Sequence, residues 1–151
     1  MQLSHEGRIA AECWLDIPRL SSRLELDQWV VMPNHNHGIL IISGRGEAFA
    51  EGAPRRFLGL SANASPLRVT QAHGTKRGSL AAIIQNYKSV SSRLVNHARG
   101  SSGVSIWQRS YFDHVIRGDE DLARIRKYIS ENPLLWELDE ENPRRLIAGG
   151  G

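Results

Sequence analysis

Cysteine is nearly absent from this chain: Cys13 stands alone in 151 residues. A single thiol excludes an intramolecular disulfide and any zinc site built from several cysteines. Long apolar runs are missing too, none approaching the roughly 20 residues that span a bilayer. The opening MQLSHEGRIAAECW lacks the basic-then-apolar pattern of a secretory signal, so a cytoplasmic location and no membrane partner are expected. Acidic residues are scarce in the middle. Residues 54–117 hold ten Lys or Arg against one acid, Asp113, a balance of +9. Residues 1–53 have four basic against seven acidic side chains, and residues 118–151 have five against eight, −3 in each case.

The formal net charge of +3 therefore hides a strongly basic centre between acidic flanks. Trp107, Tyr111 and Phe112 are interleaved with its cations. That combination points to a phosphate-backbone partner, with a solvated basic face as the alternative. The length suits one domain with a modest core.

Ile9, Ala10, Cys13, Trp14 and Ile17 recur at helical spacing, predicting an amphipathic helix over 4–17 stopped by Pro18. LDQWVVM from Leu26 and HNHGILII from His35 read as strands joined by a Pro33-Asn34 turn. Residues 44–79 lose periodicity and become rich in Gly, Ala, Ser and Arg, a flexible loop insertion. Leu80, Ile83, Ile84, Tyr87, Ser91, Leu94 and Val95 restore a helical period. SIWQRSYFDHVIR alternates like a strand. DEDLARIRKYISEN is a helix with acids in its first turn, bounded by Pro133. Residues 1–139 form the domain and 140–151 a disordered tail. The order is that of an α+β fold, an antiparallel sheet with helices packed on one side.

In VVMPNHNHGILII, His35 and His37 are two residues apart on a strand and so share a face with Ile39 and Ile41. Leu40 and Ile42 line the other face, which suggests a central strand covered on both sides. Two imidazoles so placed can reach one metal ion; a structural role for one or both is the simpler alternative. On the last helix Tyr128 and Asn132 are one turn apart, flanking the apolar stripe of Ile125 and Ile129. By periodicity alone, packing for Tyr128 and helix termination for Asn132 suffice.

Three words in order, VVMPNHNHGILII, YKSVSSRLVN and IWQRSYFDHVIRGDEDLARIRKYISENPLLWELD, resemble the REP-associated tyrosine transposases, relatives of single-strand insertion-sequence transposases within the HUH nuclease superfamily. The resemblance covers residues 27–139 apart from the loop. It implies a ferredoxin-like sheet, here lacking the family's first strand, with His35 and His37 as metal ligands. Tyr128 in KYISENP is then the nucleophile and Asn132 the third ligand. The implied activity is cleavage and strand transfer on hairpin-bearing (palindromic) single-stranded DNA through a 5′-phosphotyrosine, in DNA transposition. The implied cofactor is Mg²⁺ or Mn²⁺, although imidazole ligands alone favour a softer transition metal.

The alternative is a truncated, inactive or domesticated remnant that binds single-stranded DNA without cutting it. A third reading, a small metal-dependent hydrolase using the histidine pair, fits the basic block poorly. Two departures from the family's pattern are the polar Asn36 between the histidines and the direct opening into a helix. For DNA contacts Lys88, Arg93 and Arg109 are the candidates, with a solvated face as the alternative for Arg93. Tyr87 is expected in the core, Tyr111 in packing or base stacking. Trp107 is expected in the core, with base stacking as the alternative, and His114 is expected as a satisfied structural histidine. A homodimer is left open.

Overall fold

Ser4 opens the first helix by accepting a hydrogen bond from Gly7 N at 3.1 Å, satisfying one of the donors a helix start leaves unpaired. The computed structural model describes residues 2–43, 76, 78–136 and 142. Helix α1 (His5–Leu15) buries Ile9, Ala10, Ala11, Cys13 and Trp14. It ends two residues short of the expected boundary. A 3₁₀ turn, Ile17–Leu20, follows with Pro18 in its first positions, where the missing N–H is harmless.

Strands β1 (Leu24–Val31) and β2 (Asn36–Ile42) pair antiparallel, with Leu24 opposite Ile42, Leu26 opposite Leu40, Trp29 opposite Gly38 and Val31 opposite Asn36. Met32 N donates to His35 O at 2.8 Å across the Pro33-Asn34 turn. The register shifts between Leu26 and Trp29, placing Asp27 and Gln28 in a bulge. Helix α2 (Leu80–Ala98) is capped by Ser79, whose side chain accepts from Ala82 N. Helix α3 (Asp119–Leu135) starts after Gly118 with Asp119, Glu120 and Asp121 in its first turn.

The result is a small, open α+β fold, among the described residues a two-stranded antiparallel sheet with α1 and α2 packed to one side. Helices α1 and α2 form that layer: Ile9, Cys13, Trp14, Ile83, Tyr87, Val90 and Leu94 pack with Leu24, Leu26, Trp29 and Leu40 of the sheet. Gly38 lies under Trp14. His37 belongs to the alternate set of side chains, turned away from that layer, and it is there that α3 meets the sheet.

Three expectations differ. Among the described residues β2 has only β1 beside it, so it is an edge and not a central strand; its two faces are covered near Gly38 and Ile39, while its end at Ile41 and Ile42 is exposed. SIWQRSYFDHVIR forms no strand. Ile106 and Trp107 pack on the core, but Phe112 is 97% and Val115 68% exposed. Alternation marks fitness for a pleated surface, and a ladder still needs a neighbouring strand. Helix α3 continues through Pro133 to Leu135, since a missing N–H in a last turn removes a single hydrogen bond.

The 44–79 loop, apart from Lys76, Gly78 and Ser79, lies outside the described residues, as does the 140–151 tail apart from Asn142. Asn142 is buried and donates to Trp136 O at 2.9 Å. No helix among the described residues is long and apolar enough to cross a membrane.

Candidate active site

The histidine strand begins directly after the turn, so the turn residues orient the first imidazole. Nδ1 of His35 lies 2.6 Å from Oδ1 of Asn34. An amide oxygen only accepts, so Nδ1 is the donor in this contact, which leaves Nε2 as the nitrogen that could ligate. His37 sits beside it on the same face, ring centroids 4.7 Å apart at 70°. Burial, and then the neighbouring His35, push the His37 pKa down, which favours the neutral, ligating form of the ring.

Helix α3 brings the third participant. The Tyr128 ring stands edge-on to His37, with centroids 5.2 Å apart at 72°, and Tyr128 is 52% exposed. Its phenol is thus held by a ring contact on one side and open to solvent on the other. Asn132, one turn on, is 9% exposed. It belongs to the buried stripe with Ile129, deeper than the flank position its spacing implied. The amide fills a place on α3 that an apolar residue would ordinarily take.

Among the described residues no three His, Cys, Asp or Glu side chains gather as a metal site. The two imidazoles stand together there, and the Asn132 amide lies one turn along α3 from Tyr128. Two imidazole nitrogens with one amide oxygen are a donor set that suits a divalent cation with further coordination positions left for substrate.

Two residues that sequence reasoning missed hold α3 on the sheet. Arg126 Nε and a terminal guanidinium nitrogen donate to Asp27 Oδ2 at 3.0 and 2.7 Å, and Nε also approaches Oδ1 at 3.2 Å. Nothing in the spacing of two residues on separate elements advertises that pair. In the sequence Asp27 falls inside the LDQWVVM strand reading with no role of its own.

The remaining candidates disperse. Lys88 Nζ donates to the carbonyls of Gln108 and Ser110 at 3.0 and 2.9 Å and lies 5.6 Å from the Tyr111 ring centroid. Desolvation lowers its pKa, and its ammonium ties the 108–111 segment to α2. Arg93 and Arg109 are exposed. Tyr87 is buried against Trp14 and Trp107, and burial pushes its phenol pKa up; it is core, as expected. Trp107 packs at the edge of the core and donates to Ser91 Oγ at 2.8 Å. His114 pairs through Nε2 with Asp121 Oδ2 at 2.8 Å, in keeping with the expectation of a satisfied structural histidine.

No family model matches the chain, and no solved structure matches it. An uncharacterized protein of Haemophilus influenzae is 33% identical over 141 residues, covering 93% of this chain and 71% of that protein. The chain belongs to the family of that Haemophilus protein. The shared span takes in nearly the whole chain, so membership extends over the histidine strand, α2 and α3 together.

Proposed function

We propose that this family member is a metal-dependent single-stranded DNA endonuclease and strand transferase of the REP-associated tyrosine transposase type, acting on hairpin-bearing DNA. The observation that carries the reading is the contact of Tyr128 with His37, which joins the histidine strand to the tyrosine helix. The helix, two-strand hairpin, helix, helix order retains the central αββα part of a ferredoxin-like arrangement, with its first and last strands not present among the described residues.

In this reading the Tyr128 oxygen attacks the scissile phosphorus and loses its proton to water. The bond from phosphorus to the 3′ oxygen breaks and that oxygen takes a proton from water, leaving a 5′-phosphotyrosine and a free 3′-hydroxyl. The covalent bond retains the phosphoester energy for rejoining a strand. His35, His37 and Asn132 would hold Mg²⁺ or Mn²⁺, which when bound supplies Lewis-acid polarisation of the phosphate oxygens. His35 is pre-oriented for this by Asn34, and Tyr128 is positioned next to the ligands by α3. Arg93, Arg109 and other cations of the basic centre would neutralise the DNA backbone, weakening binding as salt rises.

The exposure of Phe112 and Val115 on an unpaired segment favours a second reading, a remnant that binds single strands without cutting them. Labelled hairpin-bearing strands mixed with the protein and Mn²⁺ or Mg²⁺ separate the two. A denaturant-resistant adduct, lost in Tyr128→Phe and kept in Tyr111→Phe, is the expected result. Tight binding with no adduct under any metal selects the remnant.

A further inference from the structure

The bulge in β1 has a consequence for α3. In a regular strand Asp27 would sit opposite a β2 residue, but the ladder slips between Leu26 and Trp29, and bulges characteristically re-aim a side chain. Here the Asp27 carboxylate turns to Arg126. Its Oδ1 also accepts from Gln28 N at 2.8 Å, so the bulge's own backbone fixes the carboxylate's orientation. Asp27 is largely shielded, 17% exposed, whereas Arg126 is half exposed.

We infer that the Asp27–Arg126 pair is a positioning clamp that fixes the roll of α3 and thereby holds Tyr128 against His37. Its catalytic meaning rests on the nuclease reading above; its geometry does not. Arg126 and Tyr128 lie on opposite sides of the buried Ile129–Asn132 stripe, about 160° apart across it at 3.6 residues per turn. An apolar stripe alone resists separation of a helix from a sheet better than it resists rolling. A roll of about 20° moves a side chain about 5–6 Å from the helix axis by roughly 2 Å. Misplacement by about 1 Å can slow a reaction on the order of 10²-fold. The guanidinium fork supplies angular restraint that a single point contact does not. Ordinary exposed ion pairs do little; this one differs in being bidentate and anchored to a shielded acid.

Arg126→Gln and Asp27→Asn test the clamp by two readouts. The first is the nuclear Overhauser contact between the His37 and Tyr128 ring protons, which requires no activity. It is expected to weaken in both variants while the α1–α2 core stays folded, and to return in part in Arg126→Lys. The second is the rate of adduct formation, expected to fall about 10- to 100-fold with single-strand affinity changed less than about twofold in Asp27→Asn. That variant keeps the Arg126 charge. A variant series in which only Arg126→Gln is impaired, through weaker DNA binding, makes Arg126 a DNA contact and overturns the clamp. An undiminished His37–Tyr128 contact in both variants overturns it as well. If the contact weakens as expected but wild type forms no adduct, the clamp stands and the nuclease reading falls.

Discussion

The Tyr128 ring meets the His37 ring edge-on, centroids 5.2 Å apart at 72°, so a helix near the end of the chain supplies one wall of a site whose floor is the β1–β2 hairpin. On the same face of that floor His35 stands beside His37 and is held by Asn34. The site is therefore built from one turn, one strand and one helix, with each ring oriented by a neighbour.

Asn34→Ala removes the acceptor that fixes the His35 tautomer. Groups that orient a ligating histidine typically contribute about 10- to 100-fold in metal affinity. Titration calorimetry with Mn²⁺ is expected to show that loss for Asn34→Ala and a larger one for His37→Ala. Equal Mn²⁺ affinity in wild type and both variants would remove the histidine pair from the metal assignment.

The helices and the histidine pair were legible because both rest on short-range periodicity. Ile83, Tyr87, Leu94 and Val95 of α2 all lie in the core, where a 3.6-residue period puts them. His35 and His37 share a face because strand side chains alternate. The rest depends on partners the local pattern does not contain. Val115 and Phe112 have strand chemistry without a neighbouring strand. Asn132 reads as a helix terminator, yet α3 runs past it and buries it. Asp27 and Arg126 meet because of a bulge and a helix docking angle, neither of which any residue spacing encodes.

Gly38 is required for space. Its φ is not among the positive values, which belong to Gly78, Gly100, Gly103 and Gly118. A Cβ there would overlap Cζ2 of the Trp14 ring and lie 2.8 Å from Cε2. Trp14 is itself wedged against Tyr87, ring centroids 5.1 Å apart, so it has little freedom to retreat. Gly38→Ala is expected to lower stability by about 1–3 kcal/mol in urea unfolding, the usual cost of overpacking. The same change made in a Trp14→Ala background is expected to lose less, because the two positions couple directly. Equal losses in both backgrounds would disprove the clash.

Asp121 joins the 113–117 segment to the start of α3. The His114 hydrogen bond first, then Arg124 and the Arg117 N–H, hold its carboxyl down at about 2, against roughly 3.9 in an unfolded chain. A depressed carboxyl stabilises the fold above its unfolded value, and that contribution disappears as pH falls through the folded value. Wild type is therefore expected to lose stability between about pH 4 and pH 2 through this group, and Asp121→Asn to show a shallower decline there. Because its partners His114 and Arg124 are exposed, added salt is expected to narrow the difference. Parallel pH–stability curves for the two proteins would rule the contribution out.

Cys13 offers a probe of core opening. It is buried in the α1–α2 core, and desolvation first, then the charges of Asp16 and Glu12, push its thiol up to about 12. The thiolate is the reactive form, and the folded chain both withholds it and screens it from reagent. Labelling at pH 8 is therefore expected to proceed through opening of the core, at a rate set by how often the core opens. If Gly38→Ala costs about 1.4 kcal/mol, labelling should accelerate about tenfold, since that energy is a tenfold change in an equilibrium constant. A native-state labelling rate close to that of an unfolded cysteine peptide, unchanged by Gly38→Ala, would mean that Trp14 and Cys13 do not share one cooperative core.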